Sequence, residues 1–102
     1  MRSLSSIVTP VIVIYEVYKR LKRELSEDDG VVAVSVMQRT RIIAVDQEIA
    51  LTAADLSLEH RLAMADALVL ATARRFDAEL ITSDRDFDGI SGVTYLPKLT
   101  NA

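Results

Sequence analysis

Three acidic side chains stand where the surrounding sequence is apolar, and their type and position favour metal chemistry. Glu16 interrupts the apolar stretch 7–17, Asp66 directly precedes the apolar run 67–71, and Asp84 comes shortly after another apolar segment. A carboxylate among apolar neighbours needs a compensating cation, because burial of an unpaired charge is costly. Converging carboxylates also repel one another unless a divalent cation holds them ionised. One metal pocket would therefore account for all three acids.

Each acid also has an ordinary structural explanation. Glu16 has Arg20 four positions later, which is a favourable spacing for a helical ion pair. Asp66 would lie in the first turn of a helix, where it complements the helix dipole and can cap backbone donors. Asp84 and Asp86 could form an Asx turn after a strand. The residues alone leave the metal pocket and these separate explanations open.

The composition narrows the kind of metal site. The chain has no cysteine and one histidine, His60, which excludes thiolate zinc sites, disulfide scaffolds and histidine-rich metal centres. His60 has no partner at metal-ligand spacing, and we interpret it as a helix-end cation or a surface residue. Oxygen-only ligation favours hard cations, so the expected ion is Mg²⁺ or Mn²⁺.

The charge balance limits how a nucleic acid could bind. The formal net charge is −3, so any nucleic-acid surface must be local. The basic cluster Lys19, Arg20, Lys22 and Arg23 could contact phosphates, although such a run is more often a solvated helix face. The tyrosines that flank Glu16 are expected to pack rather than to stack on bases.

The chain of 102 residues is expected to form one domain over residues 1–102. A hydroxyl cap at Thr9 and a proline at the first helical position predict the start of the first helix. The segment Asp28-Asp29-Gly30 is expected to break the chain before the next apolar segment. The periodicity predicts helices at 10–26, 31–40 (a strand being the alternative), 47–61 and 64–76, and strands at 5–8, 41–45, 79–82 and 94–96.

This order predicts an α/β fold with a short parallel sheet that helices cover on both faces. The first half of the first helix is apolar on all sides and is expected to be buried. The apolar stretch 7–17 is too short to span a membrane, and we expect a cytoplasmic protein without a membrane anchor.

Three segments resemble the PIN domain family, most closely the VapC-type ribonuclease toxins of type II toxin-antitoxin pairs. They are TPVIVIYE at 9–16, MADALVLATA at 64–73 and LITSDRDF at 80–87. The last two are fairly specific together, in this order and at this separation. The similarity extends over nearly the whole chain and implies a PIN-like three-layer fold.

The resemblance also implies a site and partners. It implies metal ligation by Glu16, Asp66 and Asp84, directly or through water, with Asp86 as an auxiliary acid. Thr82 would hydrogen-bond and orient the acids. The implied activity is Mg²⁺- or Mn²⁺-dependent RNA cleavage by a homodimer, inhibited by a cognate antitoxin whose tail occupies the active-site groove.

One departure from the family pattern concerns the amino-terminal end. PIN domains typically begin with a strand ending in Asp-Thr-Asn or a similar triplet, which supplies the first catalytic acid. Nothing upstream of Glu16 is acidic in this sequence. We therefore expect the domain to be N-terminally incomplete, without that strand and the first helix.

Two hypotheses follow. The first is a metal-dependent endoribonuclease in which a metal-activated water hydrolyses the RNA phosphodiester, and in which Arg85, Lys19 and Arg20 contact the RNA. A salt bridge from Arg85 to Asp86 or Asp88 is the alternative for that arginine. The second hypothesis is a PIN-like module that binds RNA or an antitoxin without cleavage, which the missing first acid leaves open.

Overall fold

The computed structural model describes residues 4–82 and 84–95, with only the backbone of Ser5 and Tyr95. The elements in chain order are a 3₁₀ turn at Leu4–Ser6, β1 Val8–Pro10, α1 Val11–Glu24, α2 Glu27–Met37, β2 Arg41–Ile43, α3 Gln47–His60, α4 Met64–Arg75, β3 Leu80–Thr82, a 3₁₀ turn at Arg85–Phe87, and β4 Val93–Tyr95. Short strands that alternate with helices confirm the predicted α/β class.

The first strand and the start of α1 differ from the prediction. The strand expected at 5–8 lies instead at Val8–Pro10, and Pro10 is the N-cap residue of α1 with an extended backbone, φ −60° and ψ 136°. Thr9 does not cap the helix, because its hydroxyl lies 2.6 Å from the Thr40 hydroxyl. Proline fits the extended end of a strand because its ring fixes φ near −65°.

The first half of α1 is less buried than its apolar sequence indicated. None of its residues is fully buried, and Tyr15 keeps 58% of its surface exposed. The helix packs mainly against α2 and touches α4 and β1. The prediction that this half of α1 is buried was wrong. This half is apolar on all sides, but α2 covers only one of them.

The helix α2 begins four residues earlier than predicted. Ser26 caps it by accepting a hydrogen bond from the Asp29 amide at 3.1 Å, and Asp28 and Asp29 lie in its first turn. Acids in this position complement the helix dipole. Gly30 continues the helix rather than breaking it, because it lies buried against the ring of Tyr18. The strand alternative for this segment is therefore wrong.

The core lies where α3 and α4 pack together. Their bounds agree with the predicted ones to within one residue, and Asp46 caps α3 by accepting a hydrogen bond from the Ile49 amide at 2.8 Å. Apolar residues of both helices and of the segment after β3 form one cluster: Ile49, Ala53, Leu56, Leu62, Ala67, Leu70, Ala71, Phe87 and Ile90. This cluster anchors α4 and the chain that follows β3.

The strands form two parallel pairs. The register of β1 and β2 sets Val8 opposite Arg41, and that of β3 and β4 sets Leu80 opposite Val93. Parallel pairing confirms the prediction, but the described strands form two two-stranded sheets rather than one central sheet. The apolar runs identify strands without specifying neighbours, because strand pairing is non-local. Leu96 and Pro97 of the predicted last strand lie outside the described residues.

No helix in the described ranges is both long and apolar enough to cross a membrane.

Candidate metal centre

Asp66 lies in the first turn of α4, the helix with the most buried residues. The N-cap residue is Ala63, which has no side chain able to cap, and no capping bond from Asp66 is present in the described structure. The neighbouring Ala67 is 1% exposed, so the backbone that carries Asp66 is firmly packed. The helix dipole favours an acid at this position. The Asp66 carboxylate is not used as a cap and lies near those of Asp84 and Asp86.

Asp84 follows β3 and is held by two local hydrogen bonds. Its backbone amide donates to the Thr82 hydroxyl at 3.1 Å, and its Oδ1 accepts from the Asp86 amide at 2.9 Å. The predicted Asx turn is therefore confirmed. The bond from the Asp86 amide uses one oxygen of the Asp84 carboxylate and fixes its orientation.

The structure brings Asp66, Asp84 and Asp86 together. One carboxylate oxygen from each lies within 4.8 Å of those of the other two. Partial burial raises the pKa of Asp66, and the charges of Asp84, Glu16 and Asp86 raise it further. The negative charges of four acids, from α1, α4 and the loop after β3, are therefore concentrated around Asp66.

Glu16 lies at the edge of this group. It occupies the second turn of α1 with an exposed side chain, close enough for its charge to act on Asp66 but outside the cluster of three oxygens. The helical pair with Arg20 that the sequence suggested is absent, because Arg20 bonds Glu24 instead, with 3.3 Å between Nε and Oε2. No ion pair involves Glu16 in the described part of the chain.

This donor set fits a hard divalent cation. Carboxylate oxygens are the ligands that Mg²⁺ and Mn²⁺ prefer, and Mg²⁺ sites need few protein ligands because the ion keeps several waters. Burial and then the repulsion from the other acids raise the pKa of Asp66, and a bound cation would offset both by favouring the ionised carboxylate. The arrangement can hold a cation against a phosphodiester, since exposed Asp86 and Glu16 leave the site open to solvent.

The predicted basic residues lie on two elements. Lys19 and Arg20 are exposed on α1, and Arg85 is exposed in the turn between Asp84 and Asp86. No salt bridge joins Arg85 to a neighbouring acid among the described residues. His60 ends α3, as expected, with its Nε2 3.7 Å from a Glu59 carboxylate oxygen.

Sequence reasoning missed one feature beside Glu16. A concavity of about 420 Å³ on α1 is lined by Tyr15, Glu16, Val17, Lys19, Arg20 and Arg23. Tyr15 was expected to pack, yet its ring is exposed. The spacing from Tyr15 to Lys19 and from Lys19 to Arg23 is one helical turn each, and that pattern could have identified this face.

Comparison with known proteins places this geometry in a family. The profile of the PIN domain matches residues 1–93. A chain of a toxin-antitoxin complex from Klebsiella pneumoniae is similar in structure, with a TM-score of 0.74 and 34% sequence identity; the match covers 92% of this chain and 75% of that one.

A second solved structure has the same fold. It is VapC20 from Mycobacterium tuberculosis, a toxin that cleaves the sarcin-ricin loop, with a TM-score of 0.68 and 19% identity over 84% of this chain and 69% of that one. No curated protein sequence matches significantly. The family profile and the Klebsiella structure each cover most of the chain, and this protein therefore belongs to the PIN domain family.

Proposed function

We propose that this protein is a divalent-metal-dependent endoribonuclease of the toxin type. The observation that carries the proposal is the meeting of Asp66, Asp84 and Asp86, whose carboxylate oxygens lie within 4.8 Å of one another. Membership of the PIN domain family and the likeness to a chain of a toxin-antitoxin complex support the same conclusion.

Asp66, Asp84 and Asp86 would hold Mg²⁺ or Mn²⁺. Glu16 would coordinate the ion directly or through a water molecule. Such an ion, when bound, supplies Lewis-acid activation of water and charge neutralisation at a phosphodiester. Exposed Asp86 and Glu16 flank Asp66, so substrate approaches the centre from the solvent side.

The chain's own residues position these acids. Thr82 accepts a hydrogen bond from the Asp84 amide and thereby fixes the backbone at the end of β3, while the Asp86 amide orients the Asp84 carboxylate. The buried Ala67 anchors the backbone next to Asp66. Arg85 lies between the two loop acids and would contact a phosphate oxygen of the RNA, since guanidinium groups suit phosphate geometry.

Two protein partners belong to the proposal. A solved relative forms part of a toxin-antitoxin complex, which supports a cognate antitoxin for this chain. We also propose a homodimer. Light scattering of the purified chain would give the mass of the homodimer, and the same measurement with the protein encoded by the adjacent gene would give the mass of the toxin-antitoxin complex. A monomer that does not bind the adjacent gene's product would contradict this part of the proposal.

The decisive experiment is cleavage of defined RNAs by the purified chain. A sarcin-ricin-loop hairpin and an unstructured strand would be incubated with Mn²⁺, with Mg²⁺, and with a chelator. Asp66→Asn and Asp84→Asn would be compared with Asp55→Asn, a matched control that removes an exposed acid of α3 outside the cluster.

We expect metal-dependent cutting that both cluster variants lose and the Asp55→Asn control keeps. Cutting that persists in chelator or in Asp66→Asn would overturn the proposed centre. A folded chain that binds RNA or an antitoxin but never cuts would instead support the second hypothesis, a PIN-like binding module.

A further inference from the structure

The residues of the basic cluster on α1 have different neighbours. Lys22 faces α2, where its Nζ lies 3.4 Å from a Glu27 carboxylate oxygen and 5.7 Å from the centre of the Tyr18 ring. Lys19, Arg20 and Arg23 line the concavity that contains Glu16. Lys19, Arg20 and Arg23 are therefore the cations of this cluster that lie beside Glu16.

We propose that Tyr15, Lys19, Arg20 and Arg23, here called the basic face, bind a single-stranded stretch of RNA next to the metal centre. This inference rests on the proposed ribonuclease function and assigns the surface that holds its substrate. Lys19 and Arg20 lie about one helical turn from Glu16 and Arg23 about two turns, so the cations cover roughly 6 Å of axis and the farthest lies roughly 10 Å along the axis from Glu16. An RNA backbone on this face would lead directly to Glu16.

The electrostatics of the basic face are set by one acid. Glu24 bonds both Arg20 and Arg23, each at 3.3 Å, and these two guanidinium groups lower its pKa. Both arginines remain exposed, with side-chain exposures of 73% and 64%. Exposed ion pairs of this kind are weak, so phosphates can exchange for the Glu24 carboxylate at little cost.

Tyr15 favours RNA over an acidic polypeptide as the occupant. Tyr15 is 58% exposed, and Lys19 Nζ lies 3.3 Å from its hydroxyl and 5.4 Å from its ring centre. An exposed aromatic ring beside cations is the arrangement that binds unpaired bases, because bases stack while phosphates meet the cations. An acidic peptide would use the cations but not the ring.

The test measures RNA binding without cleavage. Fluorescence anisotropy of a labelled RNA of about 12 nucleotides, within the site sizes of single-strand binders, would be recorded in chelator over a range of salt concentrations. The double variant Arg20→Gln/Arg23→Gln should bind about tenfold more weakly, and its dependence on log salt should become shallower by about 0.7 for each phosphate that it no longer neutralises. Arg39→Gln, which changes an exposed arginine in the turn after α2, is the matched control and should bind as the parent does.

Two further variants sharpen the expectation. Glu24→Gln should bind RNA more tightly than the parent, because it frees both guanidinium groups. Tyr15→Ala should bind RNA at least about fivefold more weakly, because stacking of one base on an aromatic ring contributes at least about 1 kcal/mol to binding. Circular dichroism of every variant would show that α1 is still folded, since all these changes are at exposed positions.

The outcomes separate this proposal from the proposed function. If the parent cuts RNA but the double variant binds as tightly as Arg39→Gln, the basic face is overturned and the nuclease stands. If no cutting occurs but the double variant and Tyr15→Ala bind RNA more weakly, the basic face stands and the nuclease fails. Displacement of RNA by polyglutamate at equal charge concentration, with no effect of Tyr15→Ala, would show a polypeptide site and overturn the RNA assignment.

Discussion

Thr82 and Asp84 are joined by a hydrogen bond in which the Asp84 amide donates to the Thr82 hydroxyl at 3.1 Å. This bond ties the last residue of β3 to the backbone from which the Asp84 carboxylate extends. The family resemblance implies that Thr82 orients the acids, and the structure shows a route through the backbone amide rather than through a carboxylate.

Replacing this hydroxyl should loosen the site. Thr82→Val keeps the shape but leaves the Asp84 amide without its acceptor, which should cost about 1 kcal/mol of stability. Because small displacements of catalytic groups are costly, we expect RNA cleavage to fall at least about tenfold. Thr82→Ser restores the hydroxyl and should recover most of the rate. Equal rates for the valine and serine variants would contradict this role.

A divalent cation should stabilise the folded chain through the acidic cluster. At a Mn²⁺ concentration of roughly 100 times its dissociation constant, the gain in unfolding free energy should be about 2.7 kcal/mol. Asp66→Asn should lose most of this gain, while Asp55→Asn should keep it. Thermal unfolding with Mn²⁺ and with chelator measures both. If Mn²⁺ does not change the unfolding temperature of the parent protein, the proposed metal centre is contradicted.

The raised pKa of Asp66 makes a prediction about pH in the absence of metal. A group whose pKa is raised on folding contributes stability that is fully present below its unfolded pKa, 3.8, and is lost as pH rises through the folded value. The parent should therefore lose stability relative to Asp66→Asn as pH rises from about 4. Because Asp66 is only partly buried and solvent screens its neighbours' charges, we expect the loss to be under about 1 kcal/mol.

Urea unfolding of both proteins across this pH range, in chelator, gives the difference directly. Excess Mg²⁺ should reverse its sign, because a bound cation favours the ionised carboxylate. A difference that stays flat with pH would show that Asp66 titrates normally in the folded chain.

The packing of Gly30 on Tyr18 predicts the cost of a methyl group in α2. A Cβ atom built at Gly30 would lie 2.9 Å from Cδ1 of Tyr18, closer than side chains normally approach. Overpacking of this kind typically costs about 1–3 kcal/mol, which exceeds the gain of up to about 1 kcal/mol in helix propensity. Gly30→Ala should therefore destabilise the protein in urea unfolding.

The same change in a Tyr18→Ala background is the control. With the ring removed, only the propensity gain remains, and Gly30→Ala should become neutral or stabilising. A cost that persists without the ring would assign the strain to something other than this contact.

The sequence by itself determined the elements whose signals are local. The periodic apolar pattern of α3 and α4 predicted their bounds to within one residue. The cap at Ser26 is equally local but was not recognised, so α2 was predicted to begin four residues too late. The Asx turn at Asp84 is local as well. Glu16 and Asp66 could be singled out because a carboxylate beside apolar residues contradicts its surroundings, and Asp84 because it follows the carboxyl end of a predicted strand.

Only the tertiary structure decided what depends on distant parts of the chain. The pairing of the strands into two sheets, the exposure of Tyr15 and the partner of Arg20 all depend on which elements become neighbours. In the sequence Gly30 looks like a helix breaker. The contact that favours glycine at this position is with the ring of Tyr18, which lies on another helix and cannot be predicted from the local sequence. The meeting of Asp66 with Asp84 and Asp86 likewise exists only because α4 and the end of β3 are brought together by the core they share, through contacts that no local pattern encodes.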